Sequence, residues 1–365
     1  MDNMRFFFGA NTPSGFIGFH KTDLYDPRNG WVAFLIKSGA GTGKATFMRR
    51  VLAELTAKGL EAETIYCSSD PSSLDAVVFR DIRLCVMDAT APHVLEPYAY
   101  GECEQLVPFG CCLQTDVTLA QTNEWFNAAD ACAAAHARSC RFLAAAGSLL
   151  DNNRLLAQNA LDEQKTDAAA TKLAAKECTG RGIPCEIRRF LSAVTPDGYV
   201  FFKETAAALC PKLYVLEDEY GAVSARFMAT MRERLLQAGN EIVSCFSPLS
   251  KNVPSHILLP SCGVGFLTSN SRETVDFPVY RRLHASRFTN NDGLREKKQQ
   301  LRFNRRAATE MLSEAVQCAA DAKTHHDCME ALHVTAMDWD KWQAIADEAM
   351  ATILQIAETR MRSCR

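Results

Sequence analysis

Apolar and polar positions follow two main rhythms along this chain. Short apolar runs, bounded by glycine, proline and small polar residues, predict strands over 31–37, 62–67, 77–79 and 82–87. Between the first two, Phe47, Val51, Leu52 and Leu55 recur at helical spacing. They predict an amphipathic helix over 44–58 that ends at Lys58-Gly59. Residues 5–8 and 16–20 are short aromatic strands around the turn composition Asn11-Thr12-Pro13-Ser14-Gly15, and predict a hairpin. Residues 116–178 are rich in Ala, Leu, Gln and Lys with almost no Pro or Gly. They predict two long helices, about 118–148 and 153–177, broken near Asp151-Asn152-Asn153. Residues 178–184 read as a linker.

The pattern then returns. Arg5-Phe6-Phe7-Phe8 and Thr12-Pro13-Ser14-Gly15-Phe16 are echoed by Arg188-Arg189-Phe190-Leu191 and Thr195-Pro196-Asp197-Gly198-Tyr199. At an offset of 180, Ala45-Thr46-Phe47-Met48 falls on Ala225-Arg226-Phe227-Met228, and the strand 82–87 falls on 262–267. A helical tail, about 290–361, matches the first helical pair. Self-similarity at a fixed period points to a tandem duplication. The expected architecture is therefore α/β: a mostly parallel sheet flanked by helices, built twice, each copy with a helical hairpin. The expected domains are 1–180, with its hairpin at about 116–178, and 185–365, with its tail at about 290–361.

The candidate chemistry lies where the first buried strand meets the first amphipathic helix. There the sequence reads Ser38-Gly39-Ala40-Gly41-Thr42-Gly43-Lys44-Ala45-Thr46. Glycines between a strand and a helix let successive backbone N–H groups turn toward one anion. The helix N-terminus adds its positive dipole end, and Lys44 adds a mobile charge. The segment thus predicts a phosphate-binding loop of Walker A type, with Gly39 to Thr46 around a nucleotide triphosphate. Two positions depart from that pattern. Ser38 stands at the first glycine position, and Ala45 stands where a hydroxyl normally meets Mg²⁺. Thr46 leaves the helix about 100° further round, so it is a poor substitute. Asp88 closes the apolar strand 82–87 as a Walker B acid would, and is the expected Mg²⁺ ligand. His93 follows at that strand's C-terminal end, a further candidate beside a ligand. In the second copy Asp218-Glu219-Tyr220-Gly221-Ala222-Val223-Ser224 replaces the loop, and Thr268 replaces Asp88. Two acids there are expected to repel an anion. Arg281, Arg282 and Arg287 are candidate charge-stabilising fingers, although plain surface arginines are the preferred reading.

Composition narrows the field. The 365 residues are 47% hydrophobic and 23% charged with net charge −3. No global basic field argues for nucleic acid. No apolar run reaches membrane-spanning length, and the N-terminal Phe6-Phe7-Phe8 stretch is too short for a signal peptide. The fifteen cysteines form no Cys-x-x-Cys, so they read as reduced residues of a cytoplasmic protein. Cys111-Cys112 reads as buried apolar filling ahead of a redox pair. His325, His326, Cys328 and His333 match no standard zinc spacing.

Five ordered motifs carry a resemblance. They are Thr-Pro-x-Gly (12–15), Gly-x-Gly-Thr-Gly-Lys (39–44), Cys-x-Ser-Asp-Pro-x-Ser-Leu-Asp (67–75), Asp-x-Thr-Ala-Pro-His (88–93) and Glu-Ala-Leu-x-x-x-Ala-Met-Asp (330–338). Together they resemble a group of poorly characterised bacterial proteins with two P-loop copies, described as ATPases or nucleotide-kinase-like proteins. The resemblance covers nearly the whole chain. It implies a P-loop NTPase fold and ATP binding, with Asp88 serving Mg²⁺ and Asp70 and Asp75 close to the site. Lys44, Asp88 and Asp70 are then the expected catalytic set, although Asp70 before Pro71 also suits a turn or helix cap. Two functions compete: an ATPase or small-molecule kinase with one site in the first copy, and a non-hydrolysing nucleotide switch or scaffold. The second would engage a protein partner through its helical hairpins.

Overall fold

A computed structural model describes residues 4–19, 21–91, 94–178, 180 and 182–363. In chain order the first strands are β1 (Arg5–Phe7), β2 (Gly9–Thr12), β3 (Gly15–Gly18) and β4 (Val32–Ile36). Then come α1 (Lys44–Ala57), β5 (Glu63–Tyr66), β6 (Leu74–Phe79), β7 (Leu84–Asp88) and β8 (Glu104–Val107). Helices α2 (Thr115–Ala120), α3 (Thr122–Gln158) and α4 (Glu163–Glu177) follow. The later strands are β9 (Cys185–Phe190), β10 (Ser192–Thr195), β11 (Gly198–Phe201), β12 (Lys212–Glu217), β13 (Glu241–Ser247), β14 (Ser250–Leu259), β15 (Val264–Ser269) and β16 (Arg281–His284). Among them lie α5 (Lys203–Leu209) and α6 (Ala222–Gln237). The chain ends in α7 (Asn291–Glu296), α8 (Lys298–Ala336) and α9 (Trp339–Ser363).

The chain divides into two compact units. One takes Met1–Gly9, Gly18–Ala137 and Cys318–Arg365; the other takes Ala10–Ile17 and Arg138–Gln317. This is not the contiguous division at 1–180 and 185–365 expected from the sequence. Helices α3 and α8 each contribute residues to both units.

Unit 1 holds a mostly parallel sheet in the order β1-β5-β6-β7-β4-β8, in which β6 runs against its neighbours. Its core joins sheet residues such as Phe34, Ile36, Val77 and Val86 to Phe47, Met48, Val51 and Leu55 of α1. Met337 completes it with Trp342, Ala346, Met350, Ile353 and Ala357 of α9. Helix α1 ends in a Schellman motif: Gly59, at φ 88°, donates to Thr56 O, and Leu60 N donates to Leu55 O. Unit 2 holds a sheet in the order β9-β13-β14-β15-β12-β16, with β14 as the reversed strand. Strand order and pairing senses match those of unit 1. Its α6 buries Phe227, Met228, Met231 and Leu235 against the sheet, beneath Ala170 and Ala174 of α4. Gly239 (φ 77°) and Asn240 close α6 with the same two backbone bonds, to Leu236 and Leu235.

Two local expectations are corrected. The hairpin is β2 with β3, whereas residues 5–7 pair in parallel with β5 in the main sheet. The helix predicted to break at 151–153 runs on to Gln158. Asn153 is buried within it, donating its amide to Leu301 O at 3.0 Å and accepting from Asn304 at 2.9 Å. Those partners offset the weak helical preference of asparagine. The break falls instead at Asp162, which caps α4 by accepting from Lys165 N. Among the described residues no helix is long and apolar enough to cross a membrane, and the cysteines are free thiols.

Candidate functional site

The glycine loop lies at the C-terminal edge of the unit 1 sheet. Parallel register sets Ile36, the last residue of β4, opposite Asp88, the last residue of β7. The loop is anchored by Lys37 N on Val107 O (3.1 Å) and by Ser38 N on Thr90 Oγ1 (3.2 Å). Gly41 (φ 70°) and Gly43 (φ 80°) take the left-handed backbone that turns it into α1. Gly39 O accepts both the Thr42 hydroxyl (2.9 Å) and the Lys44 ammonium, which also lies 3.5 Å from Asp88 Oδ2. Asp88 Oδ1 is held by Thr90 N at 2.9 Å. The loop residues, Lys44 and Asp88 named from the sequence are therefore brought together. Among the described residues the N–H groups of Gly39 to Ala45 meet no protein acceptor. The Thr42 hydroxyl is buried in the loop's own bond, Ala45 offers none, and Thr46 is exposed.

Asp70 is held by its own turn and by α8. Its Oδ1 closes a turn on Ser72 N (3.0 Å) and Ser72 Oγ (2.7 Å), and its Oδ2 lies 3.6 Å from Lys323 of α8. Asp75 is buried on β6 beside Cys67, whose thiol is pushed well up by burial and then by that carboxylate. His93 lies outside the described residues.

Residues of α8 and α9 seat directly on this loop, a contact not expected from the sequence. A Cβ on Gly39 would lie 2.6 Å from the His333 ring, one on Gly41 2.5 Å from Glu330 O, and one on Gly43 2.9 Å from Trp342. His333 donates from Nδ1 to Ala40 O at 2.8 Å, and its ring stacks on Trp125. Asp338 caps α9 by accepting from Lys341 N, and its own N–H donates to Cys112 O. The glycines thus serve close helix packing as well as backbone freedom. The motif 330–338 was the available signal. Of His325, His326, Cys328 and His333, only His326 falls in a ligand-like cluster among the described residues. It lies with Asp327 and Glu330 on one helix face, its Nδ1 3.8 Å from Glu330 Oε1. Cys111 is exposed, while burial and then its neighbour push the Cys112 thiol up to about 11.

Unit 2 resolves the acid-bearing loop differently from expectation. Asp218 does more than repel an anion. Its carboxylate accepts from Tyr220 N (3.2 Å), Gly221 N (3.1 Å) and Ser224 N (2.8 Å), filling the ring of N–H groups at the start of α6. Thr268, at the position of Asp88, donates its N–H to His256 Nδ1 (3.2 Å), which leaves the Nε2 proton facing Glu273 Oε2 at 3.3 Å. Ser192 and Tyr199 also donate to Glu273. Burial alone would raise this carboxyl; the neighbouring His256 ring and the bonds from Ser192 and Tyr199 hold it down at about 2. Arg282 is not extended as a finger, since it pairs with Glu217 (3.1 Å) and donates to Val275 O and Phe277 O.

No protein-family profile, curated protein or solved structure matches this chain.

Proposed function

We propose that this is a P-loop protein that binds ATP with Mg²⁺ at one site, the loop Gly39–Thr46 of unit 1. The observation that carries the reading is the contrast between the two loops. Among the described residues, no hydrogen bond within the chain takes the N–H groups of 39–45 in unit 1, beside Lys44 and Asp88; in unit 2 an internal carboxylate occupies the equivalent groups. A phosphate supplies what Asp218 supplies in unit 2: an anion at a helix N-terminus. The shared strand order and matching helix ends support two copies of one ancestral unit, the second having replaced its phosphate by its own side chain.

Lys44 exchanges Gly39 O for the outer phosphates. Asp88 fits a magnesium site of limited kind: with no hydroxyl at 45, it offers one carboxylate beside the nucleotide's own oxygens and water, a ligand set Mg²⁺ accepts. When bound, the ion neutralises charge on the phosphates. The protein then acts as an ATPase or a nucleotide-kinase-like phosphoryl-transfer enzyme. A second reading, a nucleotide switch with little turnover, is favoured by the seating of His333, Glu330 and Trp342 directly on the loop. In that reading the loop's conformation is passed to α8 and α9.

Calorimetric titration of ATP with and without Mg²⁺ tests the site. Binding strengthened by Mg²⁺ and weakened about ten- to a hundredfold by Lys44→Ala is expected, on the scale of charge-assisted bonds. Equal binding by wild type and Lys44→Ala removes the proposal. Hydrolysis above background favours the enzyme, and its absence with intact binding favours the switch.

A further inference from the structure

We propose that Cys178 and Cys262 of unit 2 are a redox-active thiol pair, closed to a disulfide by exchange with a low-molecular-weight disulfide. Cys178 caps the C-terminus of α4, and Cys262 ends the 3₁₀ turn Pro260–Cys262 between β14 and β15. Two bridges through β12 bring these places together. Glu177 accepts from the Lys212 ammonium (2.5 Å) and from the Tyr214 hydroxyl (2.7 Å), which pins the end of α4 to that strand. Lys212 N donates to Gly263 O at 3.0 Å, which pins the turn to the same strand end. A Cβ on Gly263 would lie 3.6 Å from Pro211, so the turn packs on the residue that leads into β12. There the two thiols hydrogen-bond to each other.

Unequal exposure gives each thiol its part. Cys262 is exposed, whereas Cys178 is 2% exposed. Cys262 loses its proton to water and attacks one sulfur of the small disulfide; that S–S bond breaks, and one small thiol leaves with a proton from water. Cys178 then gives its proton to water and attacks the Cys262 sulfur, and the second small thiol leaves in the same way. Two protein thiols are oxidised to one disulfide, and one small disulfide is reduced to two thiols. Burial, and then the charge of Cys262 beside it, push the Cys178 thiol up to about 12, which keeps it out of the first step. A Cys262 sulfur held in a mixed disulfide carries no charge, so the second of those causes is gone when Cys178 attacks. Other cysteines fit less well. Cys111 and Cys112 are also one exposed and one buried, but consecutive Cα atoms lie about 3.8 Å apart, short of the roughly 4.4–6.8 Å that a disulfide spans. Cys210 is fully buried, and among the described residues it joins no ligand-like cluster with the pair, which argues against a metal held by three thiols.

The test incubates the full chain with oxidised glutathione, blocks the remaining thiols with iodoacetamide, and maps the peptides by mass spectrometry without reduction. A cross-linked peptide joining 178 to 262, lighter by two hydrogens and opened by dithiothreitol, is expected in the wild type. Cys178→Ser removes the second step, so glutathione should accumulate on Cys262 at least about tenfold above its wild-type level. Unchanged circular dichroism checks that this variant folds, and the wild-type map stands without it. No reaction at Cys262, equal glutathione on Cys262 in wild type and Cys178→Ser, a cross-link from Cys262 to a different cysteine, or a 178–262 cross-link that forms only in urea would each overturn the pair.

Discussion

Gly39 and Gly41 differ in what their missing side chains make room for. At Gly39 the obstacle is the His333 ring, at 2.6 Å; the backbone there is one any residue can adopt. At Gly41 the obstacle is main chain, Glu330 O at 2.5 Å, and φ is 70°. Alanine at 39 overpacks a side chain, a cost of about 1–3 kcal/mol. Alanine at 41 adds left-handed strain of about 1 kcal/mol or more to a contact that cannot step aside. Denaturant titration should therefore show Gly41→Ala as the more damaging change. Combining Gly39→Ala with His333→Ala should recover most of the first loss, whereas His333→Ala should do nothing for Gly41→Ala. Independent, additive costs for 39 and 333 would refute this account of the glycine. From the sequence alone, glycine, lysine and Asp88 were legible because their chemistry is local: strand, turn, helix. His333 and Trp342 were not, because no spacing links residue 39 to residue 333. Asp218 was legible as a charge but not as a cap, since whether an acid repels or replaces an anion depends on where its oxygens point.

At the scale of the element, Glu273 fastens the β10–β11 hairpin within unit 2 through Ser192 and Tyr199, and meets His256 on β14. Its folded pKa, about 2, lies below the ordinary glutamate value. A depressed carboxyl stabilises the fold above its unfolded pKa, and that stability is lost as pH falls through the folded value. The contribution is constant from neutrality down to about pH 4.5, then fades toward pH 2, and totals on the order of 3 kcal/mol. Unfolding measured at pH 7, 5, 4 and 3 should show this acid limb in wild type and a shallower one in Glu273→Gln. An identical slope in the two would count against the network. Most elements here were legible as apolar runs and helical stripes. The uninterrupted α3 was not, because Asn153 is tolerated only through its bonds to Leu301 and Asn304, which lie far along the chain.

The whole molecule depends on where its helices pack. The repeat in the sequence invites a cut near residue 180, and the matching strand orders make each half look complete. An amphipathic stripe states that a helix has a sheet to cover but not which sheet, so the sequence could not reveal that α9 covers the sheet of unit 1. Met337, Trp342, Met350 and Ile353 are buried in that core. At about 1.5–3 kcal/mol each, their burial is worth roughly 6–12 kcal/mol. Whole-domain stability is typically about 5–15 kcal/mol, so unit 1 without them has little or no margin left. A fragment 1–180 should accordingly show no cooperative unfolding transition and fast amide exchange over 32–36 and 84–88. Joining 1–137 to 318–365 through a short flexible linker should restore both the transition and the protection in a chain of similar length. A fragment 1–180 that melts cooperatively would mean that the contiguous half, not the compact unit, is what folds. The helical tail would then be an addition to a finished domain and could be removed without loss of the glycine loop.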